Sequence, residues 1–215
     1  MRIALFGATG MIGHRILREA VQRGHSLTAM ARDPSKVETG PLVLAVKADV
    51  LDATNVAYVV TGHDAVVSAF SPLTTGGSQG LDSLVASVRS LMQGLTQAMV
   101  RRLIVVGGPG SLEVTPGMQL GDSPGFPAAW KAIALAHAQT LDVLRREAFG
   151  LDWTYFSPAA IIEPGTRTGK FRLGDDKLVV DEKGESRISA EDYAVALVDE
   201  LERPRHVGRR FTIGY

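Results

Sequence analysis

Three glycines, at positions 7, 10 and 13, separate the apolar run Ile3-Ala4-Leu5-Phe6 from a stretch that opens a helix near Met11. Their i, i+3, i+6 spacing suits a pyrophosphate. A tight strand-to-helix turn wants residues free to take positive φ, and an anion reaches the backbone only where no Cβ stands in the way. The helix that follows offers unpaired N–H groups and a partial positive charge. Gly13, inside the helix, lets it pack close to the strand. Gly7, Gly10 and Gly13 are therefore the first candidate ligand residues. A glycine-rich turn without a ligand is the alternative, and the order strand, turn, helix counts against it.

Other positions bear on what the pyrophosphate belongs to. In folds built on this turn, the residue closing the second strand lies beside the adenosine ribose. An acid there accepts from the 2′-hydroxyl of NAD, and an arginine favours the 2′-phosphate of NADP. Ala31-Arg32 hold that place, with Asp33 one step into the loop. Arg32 favours NADP, with NAD as the other candidate; a salt-bridged surface arginine is the plain reading. His14, Arg15 and Lys36 add positive potential or are solvated surface. Asp49-Val50 end the third strand, where an acid and an apolar neighbour suit the adenine amine and ring, or Asp49 caps the next helix. Ser68-Ala69-Phe70 and Gly107-Gly108 close the fourth and fifth strands at the carboxyl edge, where open α/β sheets bind ligands.

These positions need a particular scaffold. Strands are expected at 2–6, 26–31, 42–46, 65–70, 103–106 and 152–157, alternating with helices that end at Gly24 or cover 53–60, 81–99 and 128–148. The helix over 81–99 has the clearest stripe, Leu81, Leu84, Val85, Val88, Leu91, Met92, Leu95 and Met99. The alternation predicts an α/β fold, a Rossmann-like doubly wound parallel sheet of order 3-2-1-4-5-6. Residues 73–80 read as a flexible segment, and the Gly/Pro-rich loop running to Pro127 is longer than a connector needs. Beyond Pro158 a hairpin is expected between 170–173 and 177–180, then a helix opened by the capping box Ser189-Ala190-Glu191-Asp192 and a last strand at 209–213. The chain is thus expected to be one NAD(P)-binding domain over 1–215, with 159–215 as a substrate-side cap.

Composition narrows the function classes. The 215 residues carry 23 basic and 23 acidic side chains, so no basic excess points to nucleic acid or an anionic membrane. There is no Cys, and the five His are scattered without metal-ligand spacing, so no metal site is expected. The strand pattern starts at once, without a signal peptide, and no apolar run approaches a bilayer span. A cytoplasmic protein is expected, with monomer and homodimer both open.

Gly7-Ala8-Thr9-Gly10-Met11-Ile12-Gly13, Arg32-Asp33-Pro34 and Asp49-Val50 resemble the atypical short-chain dehydrogenase/reductases. The resemblance runs on through Val105–Ser111, Ser157-Pro158-Ala159 and Pro164-Gly165-Thr166-Arg167-Thr168-Gly169-Lys170. It is strongest to the bacterial group provisionally named NADH-flavin reductases, related to biliverdin reductase B and NmrA-like proteins, and it covers essentially the whole chain. The family implies a Rossmann fold, an NAD(P) cofactor, and reduction of flavins or related conjugated acceptors, the flavin being substrate rather than a tightly bound group. By position it assigns the pyrophosphate to residues 7 and 9–13, the 2′-phosphate to Arg32, the adenine to Asp49 and Val50, and the ribose to Ser68, Ala69 and Phe70. Pro158 would orient the nicotinamide.

Two departures shape the expected chemistry. Most short-chain dehydrogenases use a Tyr-x-x-x-Lys pair to pass a proton to a carbonyl oxygen, and no Tyr here has Lys four residues later. Lys131 falls about where that Lys would, but Pro127 stands four residues upstream. Ala159 replaces the His that follows the strand-closing Pro in biliverdin reductase B. A planar acceptor, such as a flavin or quinone, needs little acid from the protein. Ser111 is the candidate hydrogen-bond donor to it, or a turn cap. Lys131 bonds the nicotinamide ribose, or is an exposed helix-start Lys. His137 reads as a core histidine, and Phe126 and Trp130 as an aromatic wall or as core. The expected activity is NAD(P)H-dependent reduction of a small planar molecule. Its rivals are a non-catalytic NADP sensor acting through a protein partner, as NmrA-like proteins do, and a nucleotide-sugar epimerase or dehydratase.

Overall fold

The computed structural model describes residues 1–72 and 81–215; the segment 73–80, read above as flexible, lies outside the described residues. In chain order the elements are β1 (Arg2–Phe6), α1 (Met11–Gln22), β2 (Ser26–Ala31), β3 (Val43–Lys47), α2 (Ala53–Val60), β4 (Ala65–Ser68), α3 (Asp82–Ala98) and β5 (Arg102–Val106). Then follow β6 (Glu113–Thr115), β7 (Met118–Gln119), α4 (Ala128–Glu147), β8 (Asp152–Ser157), β9 (Ile161–Glu163), β10 (Arg172–Gly174), β11 (Arg187–Ser189), α5 (Ala190–Glu202) and β12 (Arg209–Gly214).

The main sheet has the order β10-β12-β8-β5-β4-β1-β2-β3. It contains the expected 3-2-1-4-5-6 run, with β8 as the sixth strand. Every pairing is parallel except that of β10 with β12. Strand alternation divides the core in two. Ile3 and Leu5 of β1 face the side of α1 and α5, where Ile16, Leu17, Tyr193 and Leu197 are buried. Ala4 and Phe6 face the side of α2, α3 and α4, with Val56, Leu91, Leu95 and Leu144.

Local chemistry sets the element ends. Asp52, and not Asp49, caps α2: its Oδ1 accepts from the N–H groups of Thr54 and Asn55 at 2.9 and 3.1 Å. Met99, expected on the buried stripe of α3, is instead 89% exposed at φ 55°, because the helix ends at Ala98 and the chain reverses there toward β5. The expected hairpin over 170–180 does not form. Arg172–Gly174 pairs with the free edge of β12, and Leu178 N–H donates to the Glu113 carbonyl at 2.9 Å.

The capping box closes by half. Ser189 Oγ accepts from Asp192 N–H at 3.0 Å, as expected. The buried Asp192 carboxylate turns away to accept from Thr168 and Gly169 N–H, both at 2.8 Å, and from the hydroxyls of Thr168 and Tyr215 at 2.5 and 2.8 Å. Arg167 meets buried Glu19 of α1 through two bonds of 2.7 and 2.9 Å, and Arg23 adds a third at 2.8 Å. Gly165 N–H and Arg15 share Glu191, at 2.7 and 2.5 Å. The Pro164–Lys170 stretch is therefore a strap tying α1 to α5.

Asp192→Ala removes the acceptor for two backbone N–H groups and should cost about 3 kcal/mol in denaturant unfolding. Burial opposes ionisation of Asp192, but the bonds from Thr168, Gly169 and Tyr215 outweigh it and hold its pKa below the ordinary 3.8. Its stabilisation is complete above that value and is lost as pH falls through the lower folded value. The acid limb of the stability curve should accordingly be shallower in the variant.

Candidate functional site

The three glycines serve different physical ends. Gly7 sits at φ +80°, and a Cβ there would strike the Ala69 carbonyl; one on Gly13 would overlap the Gly7 carbonyl. Both are required for the chain to pass itself closely. Gly10 has an ordinary φ of −77°, and its added Cβ would meet only the Gly7 oxygen, at 3.3 Å. It stands at the start of α1, where among the described residues no side chain caps the helix. Thr9 and Met11 are exposed around that point, Ile12 is half-buried and Gly13 buried. The N–H groups of the first helical turn face that end, a setting that favours negative charge.

The neighbouring strand ends converge on this turn. Ala69 N–H donates to the Phe6 carbonyl at 2.9 Å, which brings Ser68, Ala69 and Phe70 against Gly7. Ser68 is buried, and Ala69 and Phe70 are half-buried. Arg32 is exposed and makes no ion pair among the described residues. Asp33 is committed to its own loop, accepting from Ser35 N–H and Oγ at 3.2 and 2.6 Å. Lys36 pairs with Asp33 and Arg15 with Glu191, and His14 bonds Glu38, so all three side chains are already engaged within the protein. Lys47 went unnoticed in the sequence, although it ends β3; it is exposed and in register with Ala31. Asp49 is exposed, its Oδ1 accepting from Leu51 N–H at 2.9 Å, while Val50 is buried in the core with Val56.

The loop after β5 is held from below. Gly107 N–H donates to the Phe156 carbonyl at 2.8 Å, so Gly107 and buried Pro158 close adjacent strands. A Cβ on Gly107 would collide with the Tyr155 ring, and one on Gly108 would lie 2.8 Å from His137. This pair of glycines admits a polar trio of buried Tyr155, buried Gly108 and half-buried His137, whose hydrogen bonds the sequence reading missed. Tyr155 Oη donates to the His137 carbonyl at 2.9 Å, lies 3.3 Å from His137 Nδ1, and accepts from Gly108 N–H at 3.3 Å. Burial pushes the Tyr155 phenol up and the His137 imidazole down, to about 4. The only sequence signal was that His137 shares a helix face with Ile133 and Leu141.

Ser111 is buried, and Arg210 Nη1 donates to its Oγ and carbonyl at 2.8 and 3.0 Å. Arg210 is itself buried and paired with Asp176. The serine keeps its O–H for another acceptor. Lys131 is exposed in the first turn of α4, and among the described residues no bond joins it to Ser111. Trp130 is 51% exposed, so it is not part of the core. Among the described residues no cluster of three His, Cys, Asp or Glu could hold a metal ion, and no helix is long and apolar enough to cross a membrane.

A family model described as NAD(P)H-binding matches residues 7–204. A Burkholderia pseudomallei structure, provisionally named an exported protein, is 48% identical with a TM-score of 0.90, covering 100% of both chains. A Bacteroides thetaiotaomicron structure, provisionally named an epimerase, is 40% identical with a TM-score of 0.91, over 100% of this chain and 96% of the other. A Streptococcus pneumoniae structure, provisionally named an NADH-flavin reductase, is 36% identical with a TM-score of 0.85, over 100% and 99%.

The trio predicts a histidine that stays neutral. In an NMR titration the His137 ring signals should not move between pH 8 and about 5, and should shift only near pH 4. Because the folded value lies below the unfolded 6.5, His137 should lower stability as pH falls from 6.5 toward 4. A midpoint near 6.5 would place the ring in water.

Proposed function

The chain belongs to the NAD(P)H-binding family, and on that premise we propose that it is an NADPH-dependent oxidoreductase reducing a planar acceptor of the flavin or quinone class. The observation that carries this reading is the start of α1, where Gly10 presents no side chain and, among the described residues, no side chain caps the helix, which suits a pyrophosphate. Arg32, exposed and without an ion pair among the described residues, supports NADPH over NADH, because the neighbouring Asp33 is already spent on its loop. Lys47 on the adjacent strand adds to the positive field at that corner.

The bound dinucleotide supplies a hydride. In this reading the N–H groups at the start of α1 hold its pyrophosphate and Arg32 its 2′-phosphate. Asp49 and the 68–70 strand end flank adenine and ribose, and Gly107 and Pro158 bound the nicotinamide. Ser111, fixed through its Oγ lone pair by Arg210, turns its O–H toward an oxygen or nitrogen of the acceptor. The proton that completes reduction comes from water, since a conjugated ring that has taken hydride is basic enough to be protonated without a buried acid.

Epimerase or dehydratase chemistry lacks its base. Tyr155, Tyr193 and Tyr215 spend their hydroxyls on the His137 carbonyl, the Phe156 carbonyl and Asp192, and no Tyr is followed four residues later by Lys. Exposed Trp130 and half-buried Phe126, beside the long loop, suit the face of a flat substrate.

Arg32→Ala should weaken NADPH about 10- to 100-fold and leave NADH nearly unchanged. Gly10→Val should abolish both, with a modest loss of thermal stability because its Cβ presses on the Gly7 carbonyl and Val is a poor helix N-cap; a retained cooperative unfolding transition separates binding from folding. Equal loss of the two cofactors in Arg32→Ala would remove Arg32 from the phosphate site. The function itself is tested by NADPH and NADH oxidation against FMN, FAD, riboflavin, quinones and biliverdin, with protein-free controls. Saturable turnover is expected with one acceptor class, and Ser111→Ala should lower kcat about tenfold with cofactor affinity intact. Tight NADPH binding without turnover on any acceptor would overturn the reductase in favour of a sensor.

A further inference from the structure

The edge of the sheet opposite Gly7–Gly13, where the parallel strands begin, has a chemistry of its own. The adjacent strands β5, β8 and β12 are each preceded by a turn bearing a large exposed apolar side chain: Met99, Phe149 and Val207, at 89, 85 and 44% exposure. The turns are stitched together, Asp152 N–H donating to the Arg101 carbonyl at 2.9 Å and Gly208 N–H to the Trp153 carbonyl at 2.7 Å. Neighbouring strands lie about 4.8 Å apart, so the three tips form one row.

Arginines border the row. Arg146, Arg203, Arg205 and Arg209 are exposed, and none makes an ion pair among the described residues. Most nearby acids are taken, Asp152 by Arg101, Glu147 by Arg89, and Asp199 and Glu202 by Arg23, while Asp64 beside the start of β5 accepts from Arg2 N–H at 2.6 Å. Arg146 and Arg203 also complement the negative ends of α4 and α5. Arg209 donates to the Arg205 carbonyl at 2.8 Å, and the turn they bound carries two guanidinium groups without a counter-charge.

Met99 is a second, independent sign. The turns after α1, α2 and α4 use glycine at positive φ: Gly24, Gly62 and Gly150, at 81°, 79° and 78°. The turn after α3 puts Met there, at 55°, the sole non-glycine with positive φ among the described residues. A bulky left-handed residue costs backbone energy that its burial elsewhere would offset. Met99 closes the end of α3, its N–H donating to the Thr96 carbonyl at 3.3 Å, as a glycine would, but its side chain is exposed and returns no burial for the extra cost.

We propose that this edge docks on an anionic lipid surface, with Met99, Phe149 and Val207 entering the interfacial layer and the four arginines meeting headgroup phosphates. Single side chains standing on separate turns suit a fluid interface, which needs no matching pockets. The balanced net charge conceals the patch, because association with a bilayer responds to charge within a Debye length of it. Docked in this way, the chain turns the Gly7–Gly13 edge, about 16 Å of strand away, toward solution.

The test is sedimentation of the intact protein with vesicles of phosphatidylcholine alone or mixed with phosphatidylglycerol, at low and high salt. Binding is expected only to the anionic vesicles and only at low salt. Combined Arg203→Ala, Arg205→Ala and Arg209→Ala should weaken it about 100-fold. Met99→Gly should weaken it about tenfold while leaving thermal stability equal or higher, a pairing that a structural role for Met99 does not produce. Equal binding to neutral and anionic vesicles, no binding by the parent, or undiminished binding by Met99→Gly would each overturn the proposal.

Discussion

The peptide unit at Gly7 is the point on which the rest of the molecule depends. Its carbonyl accepts from Gly10 N–H at 3.0 Å, and the first turn of α1 passes over it where Gly13 has no side chain. Its own Cα lies under the Ala69 carbonyl. One residue thus fixes the distance from β1 to α1 and from β1 to the end of β4. Interiors are close-packed, so a methyl added at either glycine has nowhere to go. The same contacts that bring the chain together set the first N–H groups of α1 beside Gly10, a setting that favours negative charge.

The position of α1 is then carried outward by charge. Glu19, buried on its inner side, binds Arg167 and Arg23, and the bonds from Arg167 and Arg23 hold its carboxyl below the usual glutamate range against the cost of burial. Arg167 belongs to the strap over α5, and Asp192 at the start of α5 binds the next two residues of that strap. Glu19 and Asp192 are buried while their donors on the strap reach solvent, so it is the carboxylates that fix where the strap lies. The strap is thus a structural element.

On the other face the polar groups serve position as well. Arg210 joins β12 to Ser111 and to Asp176, and Tyr155 joins β8 to α4 through the His137 carbonyl. Together they set the loop after β5 at the carboxyl edge. The glycine pair 107–108 is needed by these rings, so a glycine pattern at a strand end does not by itself mark ligand contact.

Much of this was legible in the chain alone. Apolar runs of strand length, the 3.6-residue stripes and the punctuation by Gly and Pro determined the alternating elements and the order of six parallel strands, because these signals are local. The Gly7, Gly10 and Gly13 spacing marked the turn for the same reason, although three glycines in a row of letters look alike and only packing separates two that admit backbone from one that stands at the helix start. Pairings distant in sequence belonged to the tertiary structure. Arg172–Gly174 pairs with the free edge of β12 and extends the main sheet, while Lys177 and Leu178 turn to Glu113. Asp192 left its capping box for residues 168 and 169, and Arg210 reached Ser111 from the far end of the chain. The whole-chain charge of zero was readable from composition, but the gathering of unpaired arginines and apolar tips on one edge was not. That required knowing which strands begin side by side.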